Sequence, residues 1–280
     1  MHLFLIFIAL TLAYCLRRTW LTRAQSWVVR WHRVLFLFLF PPLLLVVTAL
    51  AVVCMGPQGR MVGHWQGWQG WFSYDLAILF LGFAGILGIK LAIAGWQSVQ
   101  QIRTMPTIDL KGKQTRLLET PALFSAQIGF WQSELVVSAG LLDLDGDCLQ
   151  AVLAHEQAHD HYRDTFWFFW LGWLRHCTAW LPQTEVLWQE LLLLREMRAD
   201  AWAATKVDNL LLAESLLLMV SEMPGQSEVF CAAFSATAQK NRLTERIDAL
   251  LAPEPAPSIW WSWTWLLYAA IPLVALPFHT

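Results

Sequence analysis

Residues 147–163, DCLQAVLAHEQAHDHYR, are the stretch from which the rest of the chain can be read. They read as a helix: Asp147 can cap its start, and Gln150 follows three residues on as the capping-box partner. Inside lies His155-Glu156-Gln157-Ala158-His159, an HExxH. Positions i and i+4 of a helix share a face, so His155 and His159 can aim an imidazole nitrogen at one Zn2+. Glu156 then stands beside the open position of the metal and can take a proton from bound water. A zinc centre needs a third protein donor. Residues 185–204, EVLWQELLLLREMRADAWAA, form an amphipathic segment rich in good helix formers, a second helix. Glu196 and Asp200 stand one turn apart on it. Glu196 can be the third ligand, and Asp200 can accept a hydrogen bond from a ligand histidine and hold its tautomer. The competing reading pairs both acids with Arg195, Arg198 or Lys206 on a solvated helix face.

The surroundings of this helix pair are unusually apolar. Hydrophobic residues make up 57% of the 280 and charged residues 14%, against about 25% charged in an ordinary soluble domain. So much apolar surface cannot be hidden in a water-soluble globule, and part of the chain belongs in lipid. Disorder is excluded by the same fraction. Five scattered cysteines without a CxxC pair exclude a disulfide scaffold.

Three apolar runs fill the first hundred residues. Residues 3–16 make about 21 Å of helix, short for a bilayer core of about 30 Å. No positive charge precedes them and Arg17-Arg18 follows, so the run reads as a retained anchor rather than a signal peptide. Residues 34–55 carry no charge, and Pro41-Pro42 is expected to kink them. Residues 72–96 hold Asp75 and Lys90 near their ends, and Lys90 can snorkel. Arg17, Arg18, Arg23, Arg30 and Arg33 follow the first run, and Arg103, Lys111, Lys113 and Arg116 follow the third, while only Arg60 lies in 56–71. Positive charge marks the cytoplasmic side, so the N-terminus is expected outside and the chain inside from about Ser98.

Residues 98–258 carry 12 Lys+Arg against 20 Asp+Glu, where the first 97 carry 7 against 1. The asymmetry marks a cytoplasmic domain, and its acidity disfavours direct binding of nucleic acid. Pro253, Pro255 and Pro257 read as a stiff linker. Residues 259–280 then read as a fourth span that returns the C-terminus outside. The expected fold is a mainly α membrane protein with about four transmembrane helices (about 3–16, 34–55, 72–96 and 259–280) and a small α+β cytoplasmic domain that carries the zinc motif.

Eighteen tryptophans cluster where spans should meet headgroups, an aromatic belt. The near-repeat GHWQGWQGW at 63–71 reads as a loop on the outer membrane surface, with a ligand loop as the alternative. Residues 166–181, FWFFWLGWLRHCTAWL, contain Arg175 and His176 and too short an uncharged run to span, so they read as interfacial or re-entrant. Residues 133–139, SELVVSA, read as a strand. It is either an edge that pairs with an extended substrate or an ordinary core strand. FCAAF at 230–234 reads as core, with a cleft lining as the alternative. Asp143-Leu-Asp145-Gly146-Asp147 is no calcium loop, because its glycine is misplaced and its twelfth position is Ala154. His2, His32, His64 and His279 read as surface residues. Candidates for an oxyanion donor are His161, Tyr162, His176, Arg242 and Arg246.

HExxH followed some tens of residues later by ExxxD resembles the gluzincin membrane peptidases. The segment PALFSAQIGFWQSELVVSAGLLDLDGDCLQAVLAHEQAHDHYRD, with Arg163-Asp164 after the second histidine, is similar to the BlaR/MecR type of integral-membrane antirepressor metallopeptidase. The likeness covers residues 121–164 and 196–204 well and 241–251 weakly. The HtpX and CAAX-prenyl-protease type shares the same motifs. The resemblance implies one Zn2+ per chain held by His155, His159 and Glu196, Glu156 as general base, and Asp200 as the orienting acid. It also implies a protein substrate of the BlaI/MecI-like repressor kind, cut at the cytoplasmic side of the bilayer. Sensors of this type carry a penicillin-binding domain after the last span, which this sequence lacks, so β-lactam sensing through such a domain is not expected. Membrane quality control and a non-enzymatic sensor or scaffold with a structural zinc are the two competing functions.

Overall fold

Helices make up most of the described chain, with one small mixed sheet. The computed structural model describes residues 2–18, 26–57, 67–221, 236–252 and 264–274. The chain divides into two units. The first comprises Met1–Ala92, Trp170–Leu191 and Ala256–Thr280, and the second Ile93–Phe169 and Leu192–Pro255. Residues 170–191, which the sequence reading kept inside a continuous 98–258 domain, thus pack with the N-terminal helices.

In the first unit, α1 is His2–Arg18, α2 is Trp27–Met55, and α3, Gly67–Arg103, begins there. Two helices, Trp27–Met55 and Gly70–Arg103, are long and apolar enough to cross a membrane. They contain the second and third apolar runs. α1 has 17 residues, about 26 Å. Ala9 and Ala13 on it pack with Phe40, Leu44 and Leu45 of α2; their small side chains allow the close approach that membrane helices favour. α2 continues through Pro41 and Pro42, both buried. The expected fourth span is described only over 264–274. There it is two short helices, α10 (Trp265–Ala269) and α11 (Ile271–Val274), and Pro272 cannot supply the N–H that a continuous helix needs.

Two sequence expectations about charge and polarity change here. Arg17 is fully buried, with Nη1 3.2 Å from Thr184 Oγ1 and Nη2 3.3 Å from the Phe38 carbonyl. Arg30 pairs with Glu190, its Nε 2.9 Å from Oε1. α1 and α2 extend beyond their apolar runs, so these arginines are helix residues rather than loop charges. His2, read as a surface residue, is buried with Nδ1 3.4 Å from Ser73 Oγ; His32 is half-buried with Nδ1 2.9 Å from the Val28 carbonyl. His64, His279, residues 230–234, the proline linker and residues 63–66 lie outside the described residues; residues 67–71, expected as loop, instead form the first turn of α3, which starts at Gly67.

The second unit is built on strands β1 (Thr107–Leu110), β2 (Lys113–Leu118), β3 (Ser125–Gly129) and β4 (Ser133–Ser138). The sheet order is β1-β2-β4-β3, with β2 parallel to β4 and the outer pairs antiparallel. β4 is therefore an interior strand, and of the two readings of 133–139 the ordinary core strand stands. The substrate-edge reading is overturned for β4, because the long-range β2–β4 pairing covers one side and β3 the other. The edge next to β4 is β3. Gly129 closes the β3–β4 hairpin at φ +149°, where an added Cβ would lie 2.3 Å from the Gln132 carbonyl oxygen; only glycine fits there.

α4 (Ala139–Leu142) leads into α5 (Gly146–His161), followed by α6 (Asp164–Cys177), α7 (Thr184–Ala203), α8 (Asn209–Ser221) and α9 (Ala236–Leu251). The cap of α5 is Asp145, which accepts from the backbone N–H of Asp147 and Cys148 at 3.0 and 2.8 Å. This corrects the expected Asp147–Gln150 box. The helix begins two residues earlier, and Asp147 sits in its first turn, where a negative charge suits the helix dipole. Val152 and Leu153 of α5 pack on Leu135 and Val137 of β4. On its other side Ala151 and Ala154 meet Ala203 of α7, Leu212 and Ala213 of α8 and Leu250 of α9. Alanine at these contacts lets α5 and α7 approach closely, which sets the distance between their polar faces.

Candidate metal centre

α5 and α7 bring three donor atoms together. His155 Nε2 lies 3.1 Å from His159 Nε2 and 3.3 Å from Glu196 Oε2, and His159 Nε2 lies 3.8 Å from the same oxygen. Among the described residues, His155, His159 and Glu196 are the group of side chains able to hold a metal ion. Donors bound tetrahedrally at zinc distances would stand about 3.3 Å apart, and the three separations bracket that value. Two nitrogens and one carboxylate oxygen suit zinc among other divalent metals.

Each ligand candidate is held from behind. Asp200 Oδ1 is 2.8 Å from His155 Nδ1, although the approach is too far off line for a well-formed hydrogen bond. Asp164 Oδ2 is 2.8 Å from His159 Nδ1. Both contacts direct the Nε2 atoms toward Glu196. Asp164 is in turn gripped by Arg198, whose guanidinium lies over the Tyr162 ring at 4.2 Å. Asp200 takes a two-pronged bond from Arg246, Nε at 2.7 Å and Nη2 at 2.8 Å. Arg195 donates to Glu196 Oε1 at 2.9 and 2.7 Å, leaving Oε2 toward the histidines. Of the expected ion pairs, Arg195–Glu196 forms, while Asp200 is buried and pairs with Arg246 instead of Arg195, Arg198 or Lys206 on a solvated face.

Glu156 is buried at 6% exposure. Ser125 Oγ on β3 donates to its Oε1 at 2.8 Å, while Oε2 is buried with no hydrogen-bond partner. A buried acceptor in this state is costly and marks a place where a donor belongs.

The electrostatics follow from burial among opposed charges. Burial resists a charge on His155, but Asp200 and Glu196 outweigh it and push its pKa up to about 9. His159 is raised in the same way by Asp164 and Glu196 against burial and against His155. Glu196 is held well below the ordinary carboxylate range: burial pushes it up, and Arg195, His155, His159 and Arg246 more than offset that. A metal must displace the imidazole proton, and below pH 9 that proton competes. The apparent zinc affinity, read with a competing chelator, should therefore rise about ten-fold per unit between pH 7 and 9 for the His155 proton alone. An affinity already level from pH 7.5 upward would contradict this.

Among the residues singled out from sequence, His155, Glu156, His159, Glu196, Asp200 and Arg246 come together. Arg246 spends two of its donors on Asp200, and Nη1 stands 3.6 Å from Glu196 Oε2, so it braces the acids. His161 stacks on Trp202 at 5.4 Å, Tyr162 lies under Arg198, and Arg242 is half-buried on α9. His176 is exposed on α6 in the other unit. The sequence assigns no site role to Asp164 or Ser125, and offers Arg195 only as an ion-pair partner in the competing reading of Glu196 and Asp200. Asp164 had a signal in its place five residues beyond His159, just past the helix end; Ser125 had none. No protein-family model matches the chain, and no curated protein and no solved structure matches it.

Proposed function

We propose that this chain is a membrane-embedded zinc metalloendopeptidase that cuts a cytoplasmic protein at one or two sites, with a BlaI/MecI-like repressor as the substrate class. The observation that carries the reading is the Glu156 carboxylate: one oxygen fixed by Ser125, the other buried and unpartnered, beside three converging donors. His155, His159 and Glu196 would hold the zinc, which supplies a Lewis acid and a water of lowered pKa. Glu156 accepts the proton of the attacking water at Oε2 and delivers it to the leaving amine. Asp164 and Asp200 would hold the two imidazoles with Nδ1 toward a carboxylate and Nε2 toward the metal. An extended peptide would add to β3, the sheet edge that bears Ser125. The bilayer placement rests on two helices of crossing length; the four-span topology with both termini outside is part of the proposal.

Quality-control proteolysis of membrane proteins would use the same chemistry. A structural zinc would ordinarily be closed by a fourth protein ligand, and among the described residues the group has three. The test compares newly formed protein N-termini in cells carrying the wild-type or the Glu156→Gln chain. One or two Glu156-dependent cuts in a soluble regulator are expected. A broad set of membrane-protein fragments would move the chain to quality control. No Glu156-dependent cut with the chain present and zinc-loaded would sink the peptidase reading.

A further inference from the structure

The second unit carries an aromatic cluster that the candidate centre does not use. Phe130 and Trp131 form the tip of the β3–β4 hairpin, with ring centroids 5.0 Å apart. Phe130 packs on Phe166 at 5.1 Å and on Phe169 at 4.8 Å, and Trp131 packs on Phe166 at 5.2 Å. Trp167 follows, 5.1 Å from Phe166. Two distant segments thus assemble one aromatic surface from a hairpin tip and the start of α6. Its outer members are open: Trp131 is 70% and Trp167 57% exposed.

We propose that this surface is a membrane-dipping wedge, seated at the headgroup level of the bilayer that the chain spans. The inference rests on the membrane-embedded reading. Three observations favour lipid over a protein partner. Two helices are long and apolar enough to cross a membrane, so the membrane-embedded reading supplies the bilayer. The most exposed rings are tryptophans, the residue that prefers the membrane–water boundary. The charges flanking the start of α6 are Arg163, exposed and suited to phosphate headgroups, and Asp164, buried and held by Arg198. The half-buried Asp160 carboxylate beside the hairpin is neutralised by Lys113 at 3.0 Å and held by Ser133 at 2.6 Å.

The consequence for the centre is direct. The hairpin tip continues β3, whose first residue Ser125 holds Glu156, and the helix half begins at Asp164, which holds His159. A seated wedge keeps the peptide-binding edge at the bilayer surface, so a soluble substrate must present its cut segment there.

The test uses the full chain in lipid nanodiscs. The five cysteines are first replaced by alanine or serine. An environment-sensitive fluorophore is then attached at Gln132→Cys beside the wedge, at Leu79→Cys on α3, and at Lys111→Cys on the β1–β2 turn. Emission at 79 should be lost with quenchers deep in the acyl region. Emission at 132 should be blue-shifted and lost with shallow lipid quenchers, and emission at 111 unchanged. Adding Phe130→Ser and Trp131→Ser should abolish the quenching at 132 and leave that at 79. Quenching at 79 with none at 132 would overturn the wedge and leave the surface to a protein partner. No quenching at 79 would overturn the membrane-embedded reading, and the wedge with it.

Discussion

Under the peptidase proposal, Glu156→Gln should lower kcat by about 100- to 10,000-fold, the range for loss of a general base, with the metal content unchanged. The amide keeps the shape of the carboxylate and still accepts from Ser125 at Oε1, so the fold has no reason to change. What disappears is the basicity of Oε2, the buried atom with no partner. Glu156 is not among the three donors that converge, so zinc should remain bound, and KM should move little because the loss lies in the transition state. Glu196→Gln is the contrasting variant: it removes the charged donor, and metal should leave along with activity. A Glu156→Gln chain that is zinc-loaded and retains wild-type kcat would remove Glu156 from the chemistry.

The difference between these two glutamates was legible in one dimension. HExxH and ExxxD each lie within one helix, where a spacing of four residues fixes a shared face, and the helices α5 and α7 contain both motifs. The same holds for the apolar runs that became α2 and α3, since length and lack of charge are local properties. What was not legible depends on pairing between distant segments. SELVVS reads as a strand from its own residues, but its place inside the sheet is decided by β2, some twenty residues upstream. Ser125 meets Glu156 only because β3 lies beside β4 and α5 packs across the sheet. The cap of α5 shows a different limit. Asp145 and Asp147 are chemically equal candidates by type, and only the backbone path of the preceding turn puts the Asp145 carboxylate on the N–H groups of Asp147 and Cys148.

His159 and Asp164 stand between these cases. Five residues separate them, so the contact is nearly local, yet no helical spacing announces it. It arises because Arg163 adopts φ +54° and turns the chain between α5 and α6, which brings the Asp164 carboxylate back to Nδ1. The geometry supplies the physical reason for an acid at this position.

Arg246→Met should strongly destabilise the second unit. Asp200 is 1% exposed, and Arg246 is its two-pronged partner from a helix 46 residues away. Removing the guanidinium strands a buried carboxylate, a loss of about 3–5 kcal/mol, or roughly 6–20 °C in the apparent melting temperature of a domain this size. Melting is compared at one scan rate, because unfolding of such a chain need not reverse. Arg246→Lys keeps the charge without the fork and should recover only part of the loss. The double variant Arg246→Met, Asp200→Leu should be less harmful than Arg246→Met alone, since no charge is then left behind. The pH dependence has a definite sign. Burial pushes Asp200 up, and Arg246 and His155 more than offset it, so its pKa is lowered in the folded chain. Its stabilisation is therefore present above the unfolded value near 3.9 and fades as pH falls through the folded one. Without Arg246 the carboxyl protonates more readily, so the gap between variant and wild type should narrow on acidification. A variant that melts within 2 °C of wild type at pH 7, about the shift for 1 kcal/mol or less, would show that the Arg246–Asp200 pair does not hold α7 and α9 in place.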